Sequence, residues 1–124
     1  MNVVVYASEG HIPQPEPGAS GLHEHMGAST GARLAAGLVT FRDGDFPWTL
    51  WYDEVLCCHR VEGAFELEVD GVARPMNPGD MAWIPAGTSL TYRVRGEAVL
   101  FYAVTPADWV NGLPGPASPR SEPA

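Results

Sequence analysis

The sequence predicts an all-β protein folded as a single sandwich or barrel. Three observations lead there: about eight short β-prone segments recur at even spacing, turn formers fill the breaks, and no convincing long helix interrupts them. The chain has 124 residues, with 14 Gly and 12 Pro, and 45% of it is hydrophobic. That supplies a core without disulfide staples, and it is too punctuated for a helical bundle. No repeat of solenoid period is visible.

Residues 1–7 read as a short strand, because Val3, Val4, Val5 and Tyr6 favour extended backbone. Residues 8–31 read as an ordered Gly- and Pro-rich loop with Ile12, Leu22 and Met26 to bury, so 1–31 form an N-terminal arm. Ala32–Phe41 favours strand through the β-branched pair Val39-Thr40. Arg42–Asp45 reads as a turn, Pro47–Arg60 as a strand and Val61–Gly63 as a bend. In Ala64–Asp70, Phe65, Leu67 and Val69 alternate with Glu66, Glu68 and Asp70, the pattern of a half-buried strand. Asp70-Gly71 signals a hairpin into Val72–Met76. Asn77–Asp80 turns, and Met81–Ile84 is a short strand ended by Pro85-Ala86-Gly87. Ser89–Arg95 and Ala98–Thr105 read as a last hairpin about Gly96, and Pro106–Trp109 as one helical turn. The domain thus covers 1–111, with 112–124 a flexible tail.

Seven Arg, no Lys and fifteen acidic residues give a formal charge of −8. Nucleic acid and anionic membranes are poor partners for such a chain. Without Lys, Schiff-base chemistry and a P-loop lysine are excluded. The two cysteines, Cys57 and Cys58, are adjacent and point to opposite faces of a strand, so they are badly placed to bridge each other. With no signal-peptide pattern in the opening MNVVVYASEG and no stretch of membrane-span length, the expected compartment is the cytoplasm.

Gly79-Asp80 followed by Ile84-Pro85-x-Gly87 reads physically as a turn, a buried strand and a rigid corner. Upstream stand Tyr52-Asp53-Glu54, Glu62-Gly63 and Asp70-Gly71. In this order, across residues 46–105, these runs resemble the two signatures of the cupin superfamily. Trp48-x-x-x-Tyr52-Asp53-Glu54 and Phe101-Tyr102-x-x-x-Pro106-x-x-Trp109 resemble its ethanolamine-utilisation (EutQ-type) branch. The resemblance implies a double-stranded β-helix, a jelly-roll barrel with one open mouth. It also implies a homodimer, with the valine-rich first strand joining a sheet edge. Metal-binding cupins carry His-x-His before the Glu and another His after the Pro-x-Gly glycine. Here Pro47 to Leu50 and Leu90 fill those slots and Glu54 stands alone, so no cofactor is the favoured expectation. Some EutQ-type proteins are credited with acetate-kinase activity, against which the missing Lys and glycine-rich phosphate loop both speak.

The spacing from Glu54 to Glu62-Gly63 is about two residues longer than the family's, an even slip that preserves side-chain alternation. If Glu54 faces inward, so do Leu50, Tyr52, Leu56 and Cys58, up to any bulge between 55 and 60. Leu90, Tyr92 and Val94 share one face of a later strand, as do Leu100 and Tyr102. The candidate site is therefore Glu54 as acid/base, ringed by Tyr52, Tyr92 and Tyr102, with Trp48, Leu90 and Cys58 touching a small organic ligand. Isomerisation, elimination or cyclisation suits such a site.

Blander readings stand beside this one. The aromatic residues belong to any core, Glu54 can be neutralised by Arg33 or Arg93, and Trp83 with Met81 is assigned to the core. A rival site brings His23 and His25 over the barrel mouth to join Glu54 around a divalent metal, in a lyase or oxygenase. Against it, the two histidines are simply exposed on a loop. A non-catalytic sensor or assembly protein with a filled barrel is the third alternative.

Overall fold

The computed structural model describes residues 3–112. Its strands are β1 (Ser20–Met26), β2 (Ala35–Thr49), β3 (Asp53–Val69), β4 (Val72–Pro75), β5 (Met81–Ile84) and β6 (Ser89–Thr105). They pair antiparallel in the order β1-β2-β6-β3-β4, and β5 lies along the first part of β3. Three of them run to 15 or 17 residues, far beyond the usual five or six or so. Such strands cannot stay flat and enclose a core.

The bends that fold them over lie close together across the sheet. The register of β2 shifts between Arg42 and Gly44, and that of β3 between Cys58 and Arg60. Gly63 of β3 pairs with Gly96 of β6, at φ 105° and 99°. A Cβ on Gly63 would lie 1.9 Å from the Arg95 carbonyl oxygen, and one on Gly96 would lie 2.0 Å from that of Glu62. Only glycine satisfies both the backbone angle and the close approach. Asp43 Oδ1 accepts the Gly96 N–H at 2.7 Å and stitches the β2 bend to the β6 bend.

Each long strand therefore serves two half-sheets. One holds β1, the N-terminal part of β2, the C-terminal part of β6, the start of β3, and β5. The other holds the remaining parts of β2, β6 and β3, with β4. Their inner faces bury Val39, Phe41, Phe65, Leu67, Tyr92 and Leu100 among others. Among the described residues no helix is long and apolar enough to cross a membrane.

Several expectations change in this frame. Arg42–Asp45 and Gly96 are not a turn and a hairpin tip but bends inside continuous strands, and the bend expected at Val61–Gly63 likewise lies within β3 rather than between two strands. The chain reverses instead at 50–52, where Leu50 donates to Thr88 O (2.9 Å) and Gly87 to Leu50 O (2.8 Å). Val3–Tyr6 form no strand, and Ser20–Met26, expected as loop, is the edge strand β1. Propensity without an adjacent sheet edge makes no ladder, whereas β2 offers one to a weakly β-prone segment. The helical turn lies three residues later, at Trp109–Gly112. The hairpin at Asp70-Gly71 forms as expected, with φ 52° and 77°. Of the tail, residues 113–124 lie outside the described residues.

Candidate acid–base site in the barrel

Along the start of β3 the period-two alternation holds. Leu50, Tyr52, Glu54, Leu56 and Cys58 are buried, Trp51, Asp53 and Cys57 are half-buried, and His59 is exposed beside the register shift. Trp83 departs from expectation: it is 63% exposed, because Ala82 and Ile84 carry the inner face of β5, opposite Leu56 and Glu54.

Glu54 is wholly buried between Val104 of β6 and Ile84 of β5. Tyr92 donates its hydroxyl to Glu54 Oε1 at 3.3 Å, while Oε2 has no partner. Burial pushes the Glu54 carboxyl up to about 8, only partly offset by the Tyr92 hydrogen bond. At neutral pH the acid therefore keeps its proton. The expected neutralising arginine is absent from it: Arg93 pairs with Glu68 and Asp45, and Arg33 enters none of the described ion pairs.

The three tyrosines lie around this acid on the inner faces. Tyr102 pairs with Leu56, which places it diagonally from Glu54 within reach of a long side chain. Its hydroxyl is buried and unpartnered, and its pKa is raised by burial, then by Glu24, then by Glu54. Tyr92 stacks on Phe41 at 4.8 Å, and burial beside Glu54 raises its pKa strongly. Tyr52 accepts the Trp48 indole N–H at 3.0 Å. Around Tyr52, Trp51 and Trp109 pack at 5.0 Å each, so these rings and Trp48 close one end of the core.

Beside this cluster, between β4 and β5, opens a cleft of about 520 Å³. Leu67, Ile84 and Leu90 line it, the register partners of Tyr92, Glu54 and Trp48 respectively. The cleft therefore adjoins the wall that carries the acid.

Compared with known proteins, residues 3–111 match the family model of the ethanolamine utilisation protein EutQ. The chain belongs to the EutQ family. It is 30% identical over 100 residues to the acetate kinase EutQ of Escherichia coli K12, covering 81% of this chain and 42% of that one. It thus spans less than half of that relative's length. The solved EutQ of Clostridium difficile is 26% identical, with a TM-score of 0.68 over 76% of this chain and 67% of the other. An RmlC-like cupin from Shewanella frigidimarina matches at 25% identity and a TM-score of 0.52, over 60% of this chain and 68% of its own. The all-β fold of this EutQ-family chain is a cupin fold.

The other sequence-derived residues of this EutQ-family chain divide clearly. Trp48, Leu90 and Cys58 are buried on the inner faces, and burial raises the Cys58 thiol pKa. His23 and His25 do not meet Glu54. Leu22 packs on the core, so its neighbours in β1 point to the outer face. There they gather with His11 of the arm, ring centroids 4.6 Å (His11–His23) and 4.8 Å (His23–His25) apart. Among the described residues no group of three or more His, Cys, Asp or Glu side chains could hold a metal ion. Two contributors were missed by sequence reasoning. Glu24 acts on Tyr102 from β1, and Arg74 lines the cleft. The alternation of Leu22 and Glu24 with His23 and His25 was the signal for the first.

Proposed function

We propose that this EutQ-family cupin binds a small organic molecule in its barrel and that Glu54 acts on it as a general acid and base. The observation that carries the reading is the pair of buried, unpartnered polar groups, Glu54 Oε2 and Tyr102 Oη, on neighbouring inward positions. An orphaned buried polar group costs about 1–3 kcal/mol, so a ligand bearing a donor or acceptor there stabilises the protein. A carboxyl with a pKa near 8 gives up or takes a proton close to neutrality, which suits isomerisation, elimination or cyclisation. Tyr92 orients the acid, and Tyr102 is placed to hold a ligand oxygen. Phosphoryl transfer, named for the relatives, is no part of this reading, which rests on the buried acid and tyrosine of the barrel. The sequence also carries neither a P-loop lysine nor a glycine-rich phosphate loop.

The reading includes a homodimer in a reducing cytoplasm, supported by the exposed outer face of Met81 and Trp83 and by two free cysteines.

The test is a substrate and ligand screen on the wild type, Glu54→Gln and Tyr102→Phe. Glu54→Gln should abolish turnover, at least 100-fold, while keeping ligand affinity within a few-fold; Tyr102→Phe should mainly weaken binding, by roughly tenfold. A Glu54→Gln protein that turns over normally would remove the acid/base role.

A further inference from the structure

Arginine supplies every fixed side-chain cation of this chain, seven residues with no lysine. Arg42 and Arg60 converge on Glu97 at 3.8 and 3.6 Å. Arg93 and Arg95 both reach Asp45, and Arg93 also reaches Glu68. Arg74 enters none of the described ion pairs. Its place is informative: it pairs with Leu67, whose buried side chain faces the core, and cross-strand partners share a face. Though exposed on the edge strand β4, this cation is thereby turned to the barrel side. It lines the cleft whose walls include Ile84 and Leu67, the partners of Glu54 and Tyr92.

The remainder of that cleft is mostly apolar, with Leu67, Val69, Met76, Ala82, Ile84 and Leu90 in its walls. Its volume, about 520 Å³, suits a small organic ligand. Asp80 is the carboxylate on the same cleft, and its Oδ2 already accepts the Asn77 N–H at 2.8 Å.

We infer that the cleft takes small amphipathic carboxylates, with the headgroup on the Arg74 guanidinium and the apolar body between β4, β5 and Leu90. The planar guanidinium fork fits a carboxylate in two parallel hydrogen bonds. Asp80 at the rim works against a second negative charge, which favours a monoanion over a phosphate ester. The apolar walls select a hydrocarbon body rather than a bare acid. This inference rests on the barrel-ligand reading, since the body of such a ligand would lie along Ile84 and Leu67, the partners of Glu54 and Tyr92.

The test is calorimetric titration of the full chain at pH 7 and low salt with hexanoate, acetate, 1-hexanol and hexylamine, repeated on Arg74→Gln and Tyr102→Phe. Hexanoate should bind best, and acetate at least tenfold more weakly, because each buried methylene contributes to affinity. Arg74→Gln should weaken hexanoate roughly three- to five-fold, the effect of one solvent-accessible ion pair, and leave hexanol unchanged. Hexylamine binding more tightly than hexanoate would overturn the inference, as would failure of all four probes to bind. So would unchanged hexanoate affinity in Arg74→Gln, and self-association of that variant would assign Arg74 to guarding an edge strand instead. Hexanol that binds in preference to hexanoate, and loses affinity in Tyr102→Phe, would remove the anion and leave the barrel reading standing.

Discussion

Glu54 sits between Val104 and Ile84 on the barrel wall, so its cross-strand neighbours offer no compensation for a negative charge. Its pKa rises from an ordinary 4.5 to about 8. The unfolded chain therefore ionises this acid first as pH increases. The stabilising contribution is fully present below about 4.5 and is lost as pH rises towards 8. Denaturant unfolding between pH 5 and 8 should show wild-type stability falling with pH. Glu54→Gln, which keeps the Tyr92 hydrogen bond without an ionisable group, should flatten that slope and gain on the order of 1–3 kcal/mol at pH 8. Equal slopes in the two proteins would place the titration elsewhere. The inward direction of Glu54 followed from the cupin resemblance rather than from polarity, since Leu50 to Cys58 does not alternate in residue type. Once Glu54 is inward, strand geometry fixes Leu50, Tyr52, Leu56 and Cys58 with it. The partnership of Glu54 with Tyr92 was not legible, since 38 residues, the bend of β3 and two further strands separate the pair.

The N-terminal arm and β1 show how far such legibility extends to an element. Val3–Val5 have high β-propensity and stay exposed, while Ser20–Met26, with Gly, His and Glu, forms a strand because β2 presents an open edge. The contact between arm and strand is a ring cluster. Tyr6 stacks on His25 at 5.6 Å, Ser8 Oγ lies 3.2 Å from His25 Nε2, and His11 faces both His23 and His25. Burial lowers the His25 pKa, and the neighbouring His23 and His11 lower it further. The partner strand opposes His23 with apolar Leu38, and Glu9 on the arm is exposed. A depressed histidine favours folding while neutral, so its contribution is present above its ordinary 6.5 and is lost as pH falls. Hydrogen exchange of residues 3–14 should accelerate several-fold between pH 7 and 5.5, after correction for intrinsic rates, while the β3–β6 ladder stays protected. His23→Gln should blunt that acid response; an arm equally protected at both pH values would show that the cluster does not hold it.

At the scale of the whole molecule, the outer face of the half-sheet carrying β5 has two unlike stretches. Neither was legible in the sequence, because the bends that create this half-sheet sit inside segments that read as separate hairpins. On the half-sheet carrying β5, Leu38, Thr40 and Val99 are fully buried though they point away from the barrel interior. Further along the same face, Trp83 and Met81 are 63% and 68% exposed, Phe101 is 36% exposed, and Val55, Cys57 and Ala103 are half-buried between them. Asp53 borders this otherwise uncharged strip beside Val55, Trp83 and Ala103, and its carboxylate already accepts the Ala86 N–H at 2.8 Å. For a chain of net charge −8 the strip is where two copies approach with least repulsion, and a two-fold contact would let Trp83 of each cover the other's apolar strip. Light scattering should then give a dimer whose dissociation constant falls as salt screens the residual like-charge repulsion. Trp83→Asp should shift the equilibrium to monomer by at least tenfold, without lowering the denaturation midpoint of the monomer, because the side chain is not part of the core. A wild type that scatters as a monomer at 100 μM, at both low and high salt, would leave the exposed face unexplained by self-association. A salt effect of opposite sign would instead point to ion pairs at the contact, and Trp83→Asp would then leave the dimer intact.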